Sequence, residues 1–204
     1  MKKIALVAVL ATSAAMAAPF NGFSVGGDFG ASFNKITESY GTEKSTQKKT
    51  SFIGSLFVGY AKSFNNMFAG LDLGLGFEGK SKVNDKEDGI VVRTIHLKPG
   101  ISFEMNPRVG YKFNDTMAGY FKLGMGVAKN EWKVKELDGT ELDKGKKSVF
   151  SWTPALGLEK AFGNVSMRGE LGYKMTGNKK VFNNSNVKVK RKAVIMTVGV
   201  AYNF

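Results

Sequence analysis

Between Phe23 and the last residue, segment after segment carries apolar side chains at every second position, and the residues between them are mostly small or charged. This period of two is the signature of a strand with two different faces, and it excludes a helical fold for the segments that carry it. Phe23, Val25, Phe29, Ala31 and Phe33 share one face of the first such segment, opposite Ser24, Gly26, Asp28, Gly30 and Ser32. The pattern returns around Phe52–Ala61, Ala69–Glu78, Ile101–Phe113, Tyr120–Val127, Phe150–Glu159, Val165–Met175 and Ala193–Phe204. Eight strands are therefore predicted. The second is the least regular, because Ile53 and Phe57 fall on the face opposite Phe52, Leu56, Val58 and Tyr60.

The start of the chain follows a different rule. Lys2 and Lys3 precede an apolar run from Ile4 to Leu10, and Ala15-Met16-Ala17 then supplies small residues at the spacing a signal peptidase reads. The run falls short of the ~20 residues a membrane-spanning helix requires. Residues 1–18 are thus expected to be a cleaved export signal, leaving 19–204 as one domain. Loss of Lys2 and Lys3 takes the net charge from +13 to +11.

Composition closes off much chemistry. With no Cys and a single His, His96, there is no thiol nucleophile, no disulfide framework and no multi-histidine metal centre. No nucleophile, base and orienting group can be assembled around His96, so no enzyme and no cofactor is expected. Two motif matches are coincidental. Gly74–Ser81 fits phosphate-loop spacing, but it begins inside an alternating strand and leads into no helix, which a phosphate loop requires. Asn84–Gly89 faintly matches a calcium loop, but Lys86 takes a ligand position and Ile95 stands where the bidentate Glu belongs.

The connections alternate as well. Short ones lie at Ser63–Asn66, Asn114–Thr116 and Gly163-Asn164; long polar ones span Lys35–Thr50, Gly79–Thr94, Lys129–Ser148 and Gly177–Lys192. Short turns at one end and long loops at the other describe an all-β fold, an eight-stranded antiparallel up-and-down transmembrane barrel of a Gram-negative outer membrane. Phe64, Phe68, Phe113, Phe162 and Phe204 near the short turns, with Phe33, Phe52, Phe77 and Trp152 near the long loops, fit two aromatic girdles. The polar face then lines the lumen, where Asp72, Glu104, Arg108, Lys122, Glu159, Arg168 and Glu170 form a charge network that fills a narrow interior. A two-residue turn at Gly163-Asn164 sets Glu159 directly opposite Arg168 and predicts an ion pair between them.

The segment Met196–Phe204, with apolar residues at alternate positions and a terminal Phe, resembles the signal that outer-membrane barrels present to their assembly machinery, with Tyr202 and Phe204 as its key residues. "NPRVGYKFNDTMAGYFKLG" (Asn106–Gly124) and "PALGLEKAFGNVSMRGELGYK" (Pro154–Lys174) resemble hairpins of the OmpA-like and opacity-type barrels, a porin-like superfamily. The resemblance spans residues 19–204. It extends only to the barrel half of OmpA, without the peptidoglycan-binding domain that follows there.

Charge placement suggests partners. The four long connections carry net charges of +2, +1, +1 and +6, ten of the mature chain's +11. The last holds Lys179, Lys180, Lys188, Lys190, Arg191 and Lys192 with no acid, a candidate anion-binding loop for lipopolysaccharide phosphates or the acidic glycans and surface receptors of a host. Nucleic acid is not expected at such a site. The function expected is a non-enzymatic surface barrel, structural and adhesive, with a narrow pore for water or small solutes as the alternative.

Overall fold

The computed structural model describes residues 20–40, 43–79, 81–87, 90–98, 100–136, 141–176, 179–180 and 188–204, with side chains for 20–35, 47–79, 100–129, 148–176 and 192–204. The proposed export signal lies outside the described residues. Among the described residues eleven strands follow one another: β1 Gly22–Tyr40, β2 Glu43–Phe64, β3 Met67–Glu78, β4 Ser81–Glu87, β5 Ile90–Lys98, β6 Ser102–Lys112, β7 Met117–Glu136, β8 Glu141–Phe162, β9 Val165–Thr176, β10 Lys179–Lys180 and β11 Lys188–Asn203. Eight of them, β1, β2, β3, β6, β7, β8, β9 and β11, form the wall. Each pairs antiparallel with its two neighbours, and the β1–β11 ladder closes the ring. A sheet closed on itself has no unpaired edge, which lipid would penalise heavily.

The expected faces are those observed. Phe29, Leu56, Leu73, Phe103, Leu156, Met167 and Val198 all point outward from the wall, while Ser32, Asp72, Arg108, Lys122, Glu159 and Ser166 are buried inside it. Phe57, irregular in sequence, is buried in the lumen. Phe68 departs from the expected girdle. It is only 1% exposed and stacks on Phe20 at 5.2 Å inside the barrel. The reason is parity: Phe68 shares a face with Gly70 and Asp72 rather than with Leu71 and Leu73.

The long polar stretches also differ from expectation. Lys35–Thr50 and Lys129–Ser148 are largely strand rather than loop, for β1 and β2 stay paired from Gly22↔Ala61 to Tyr40↔Glu43, and β7 and β8 from Met117↔Lys160 to Lys135↔Glu141. β4 and β5 form a hairpin of their own, and β5 continues along β7 where β6 has ended. Apolar alternation stops where the apolar surroundings stop, but backbone ladders persist in water, so its end marks the membrane boundary and not the end of the strand.

At the opposite rim the turns are tight. Asn65, with φ 53°, and Gly163, with φ 63°, take the left-handed conformation that two-residue hairpins require. The Gly163-Asn164 turn sets Phe162 opposite Val165 and Glu159 opposite Arg168, the register expected. Phe204 follows β11, its amide donating to the Phe23 carbonyl at 2.9 Å, and its ring meets Tyr202 edge-on at 5.1 Å. The match of Gly74–Ser81 to a phosphate loop begins inside β3 and ends on the first residue of β4, a strand where a phosphate loop needs a helix.

Candidate functional site

The inward face builds two layers across the half of the lumen nearer the tight turns. At the rim, Phe20, Ala61, Phe68, Ala118 and Tyr120 pack into one buried apolar cluster. Phe68 meets Phe20 face to face and Tyr120 edge-on at 6.3 Å, so that rings rather than water occupy the mouth.

Against that cluster lies a layer of charge. Arg168 Nε and Nη2 donate to Asp28 Oδ1 and Oδ2, both at 2.7 Å, and Nη1 donates to Asp72 Oδ2 at 2.8 Å. This engages all three nitrogens of the guanidinium with two carboxylates, one of them bidentate, and Phe57 covers its face at 3.9 Å. Arg108 Nη1 donates to Glu159 Oε2 at 2.6 Å, and its Nε faces Asp72 Oδ1 at 3.5 Å, an ion pair too long to be a hydrogen bond. Phe68 and Tyr120 each hold the Arg108 guanidinium 5.5 Å from their ring centres. Lys122 pairs with Glu170, which also accepts from the Tyr120 hydroxyl at 2.7 Å. Arg168 Nε lies 3.9 Å from Glu170 Oε1, which joins the two halves into one chain of charges crossing the lumen.

The ion pair expected between Glu159 and Arg168 is not made. The two residues are ladder neighbours, yet Glu159 turns to Arg108 and to the Ser166 hydroxyl, which donates at 2.8 Å, while Arg168 turns to Asp28 and Asp72. In a closed barrel a carboxylate from a strand farther round the ring competes on equal terms with one on the adjacent strand. Asp28 was visible in sequence as an inward charge but not as a member of the network, and Tyr120, Phe57 and Phe68 were not visible as its partners. Glu104 stands apart from the ion pairs and accepts from Ser102 at 2.9 Å.

A signal for these partners is present in the ladders. Arg168 and Asp28 both pair with Gly199, which stands between them. Tyr120 and Glu170 both pair with Gly157, and Phe68 and Tyr120 both pair with Gly110. A Cβ at any of these glycines would collide with the Asp28 carboxylate, the Tyr120 ring and the Phe68 ring respectively. Each missing side chain lets groups two strands apart meet above the strand between them. Gly199→Ala should therefore part Arg168 from Asp28 and cost about 1–3 kcal/mol, as overpacking does. Unfolding in detergent measures this, and an unchanged midpoint would show that the contact is dispensable.

On the long-hairpin side of the charge layer lies a chamber of ≈ 120 Å³, whose wall mixes Ser102, Glu104, Asn106 and Lys174 with the apolar Ile53, Phe77, Val149 and Ile195. Lys174 Nζ reaches Glu78 Oε2 at 3.4 Å. No group of three or more metal-ligating side chains gathers among the described residues. Of the proposed anion-binding loop, Lys179 and Lys180 form β10 against Val189 and Lys188, and Lys188, Lys190, Arg191 and Lys192 belong to β11. The side chains of the first five lie outside the described residues; that of Lys192 is exposed.

A model of the outer membrane protein beta-barrel domain matches residues 4–204. Among curated proteins, no sequence matches the chain. Among solved structures, Neisserial surface protein A is 19% identical over 90% of this chain and 98% of its own, with a TM-score of 0.47. Ail, the attachment invasion locus protein of Yersinia pestis, solved in complex with the heparin analogue sucrose octasulfate, is 12% identical over 89% and 99%, with a TM-score of 0.46. The N-terminal barrel domain of Pseudomonas aeruginosa OprF is 13% identical over 86% and 97%, with a TM-score of 0.37.

Proposed function

The chain belongs to the outer membrane protein beta-barrel domain family and resides in the bacterial outer membrane, and from this premise we propose that it is a closed, non-enzymatic surface barrel. Its task is to anchor long β-hairpins outside the cell, where their basic residues meet anionic surfaces. The observation that supports this reading is the filling of the lumen by an aromatic cluster at one rim, backed by ion pairs to which several wall strands contribute. A conducting path would have to break these buried pairs. Tyr202 and Phe204, at the end of the closing strand, are where the assembly machinery would read the chain.

Planar-bilayer recording on the purified, refolded protein tests the closed reading against the pore alternative. The expected trace is flat, with at most rare and brief events. Steady openings in neutral salt would reverse the ranking in favour of a narrow pore.

A further inference from the structure

Two ion pairs join the same two strands across the lumen. β3 and β9 lie four strands apart in either direction round the ring, so their inward side chains face one another. Arg168 meets Asp72 at 2.8 Å in the charge layer, and six residues farther along each strand Lys174 meets Glu78 at 3.4 Å. The chamber of ≈ 120 Å³ lies between these crossings. Asp28, Lys122 and Glu170 of the charge layer stand at its inner end, and the Lys174–Glu78 pair spans it near its outer end.

Among the described residues, every charge in the wall of this chamber but one has a partner of opposite sign. Arg168 holds Asp28, Lys122 holds Glu170 and Lys174 holds Glu78. Glu104 is the exception: its half-buried carboxylate makes no ion pair and accepts only the Ser102 hydroxyl, at 2.9 Å. It lies over Gly76 of the neighbouring strand, where a Cβ would collide with the carboxylate. The missing side chain thus makes room for a charge that the barrel itself does not neutralise. A carboxylate partly withdrawn from water costs free energy unless a cation stands beside it. The Asn106 amide and the hydroxyls of Ser151 and Thr153 share this wall, and Ile53, Phe77, Val149 and Ile195 give it apolar surface.

We infer that the chamber binds a small organic cation, a primary ammonium on a short apolar body, with Glu104 as its counter-ion. An ammonium has three protons to place, and the carboxylate, the hydroxyls and the Asn106 amide offer oxygens for them. The apolar part of the wall accepts the body. A cavity of ~150 Å³ admits benzene, so ≈ 120 Å³ suits a guest of about five heavy atoms. The charge layer bounds the chamber on its inner side, so a guest occupies it without parting the buried pairs. Binding in the chamber and conduction through the barrel are therefore separate results.

The test titrates the full chain, refolded in a non-ionic detergent, with n-butylammonium and with 1-butanol, which has the same shape and no charge. Isoleucine-methyl NMR follows binding, with Ile53 and Ile195 as the reporters inside the chamber. The ammonium should shift both methyls saturably, and the alcohol should bind about ten- to a hundredfold more weakly. Glu104→Gln should lower the ammonium affinity by the same factor, whereas Lys62→Gln with Lys160→Gln should leave it unchanged. Equal affinity of the parent for ammonium and alcohol, which needs no variant to fold, overturns the inference, for the chamber would then be an apolar hole. Displacement of the ammonium by an equal concentration of potassium also overturns it and marks a site for inorganic cations. So does the absence of any shift at Ile53 and Ile195.

Discussion

Replacing Arg168 with Met should destabilise the barrel by about 3–5 kcal/mol in detergent unfolding, the cost of leaving buried charge without its partner. Asp28 and Asp72 both lose Arg168 in that variant; Asp28 keeps the Ser55 hydroxyl at 3.0 Å, and Asp72, whose side chain is 0% exposed, keeps only the 3.5 Å approach of Arg108. A double-mutant cycle assigns the partner. Arg168→Met with Asp28→Asn should show a coupling of about 1–3 kcal/mol, while Arg168→Met with Glu159→Gln should be close to additive. The ladder makes Glu159 the nearest neighbour along the backbone, so the cycle separates backbone proximity from side-chain pairing. A loss of ~1 kcal/mol or less for Arg168→Met would mean that water wets the layer and that its pairs behave as surface pairs do. Equal coupling to Glu159 and Asp28 would overturn the arrangement of partners.

Phe68→Ala should cost about 3–5 kcal/mol, as truncation of a buried aromatic does. It should also raise the frequency of brief conductance events, because its ring fills the rim between Phe20 and Tyr120. Phe64→Ala is the control. Phe64 lies four residues earlier in the same aromatic cluster of the sequence, but it is 60% exposed on the outer wall, so its loss removes contact with lipid and leaves the seal intact. Unfolding midpoints and bilayer recordings on the two variants make the comparison. Equal effects would mean that Phe68 belongs to the outer girdle after all.

How much of this site was open to sequence reading depends on how far apart its parts lie on the sheet. Alternation placed Asp72, Arg108, Lys122, Glu159, Arg168 and Glu170 on the inner face, and a two-residue turn set Glu159 opposite Arg168, because both rules act between adjacent residues or adjacent strands. Neither rule reaches across a closed ring. Arg168 meets Asp28 over Gly199 only once β11 lies between β9 and β1, and that order requires the last strand to close on the first. Glycine recurring on the lumen face could be read as small filler; its use as a gap through which larger groups meet is legible only with three strands in register.

The eight-stranded plan, the outward apolar belt and the inward charges were therefore determined by the sequence alone, since each follows from a period of two and from the chemistry of the two surroundings. Which carboxylate each cation meets and the inward turn of Phe68 into the seal were decided by the tertiary structure. Closure of the sheet brings residues from opposite ends of the chain within a few ångströms of one another. At that range the geometry of side chains, rather than their order in the chain, sets the pairing.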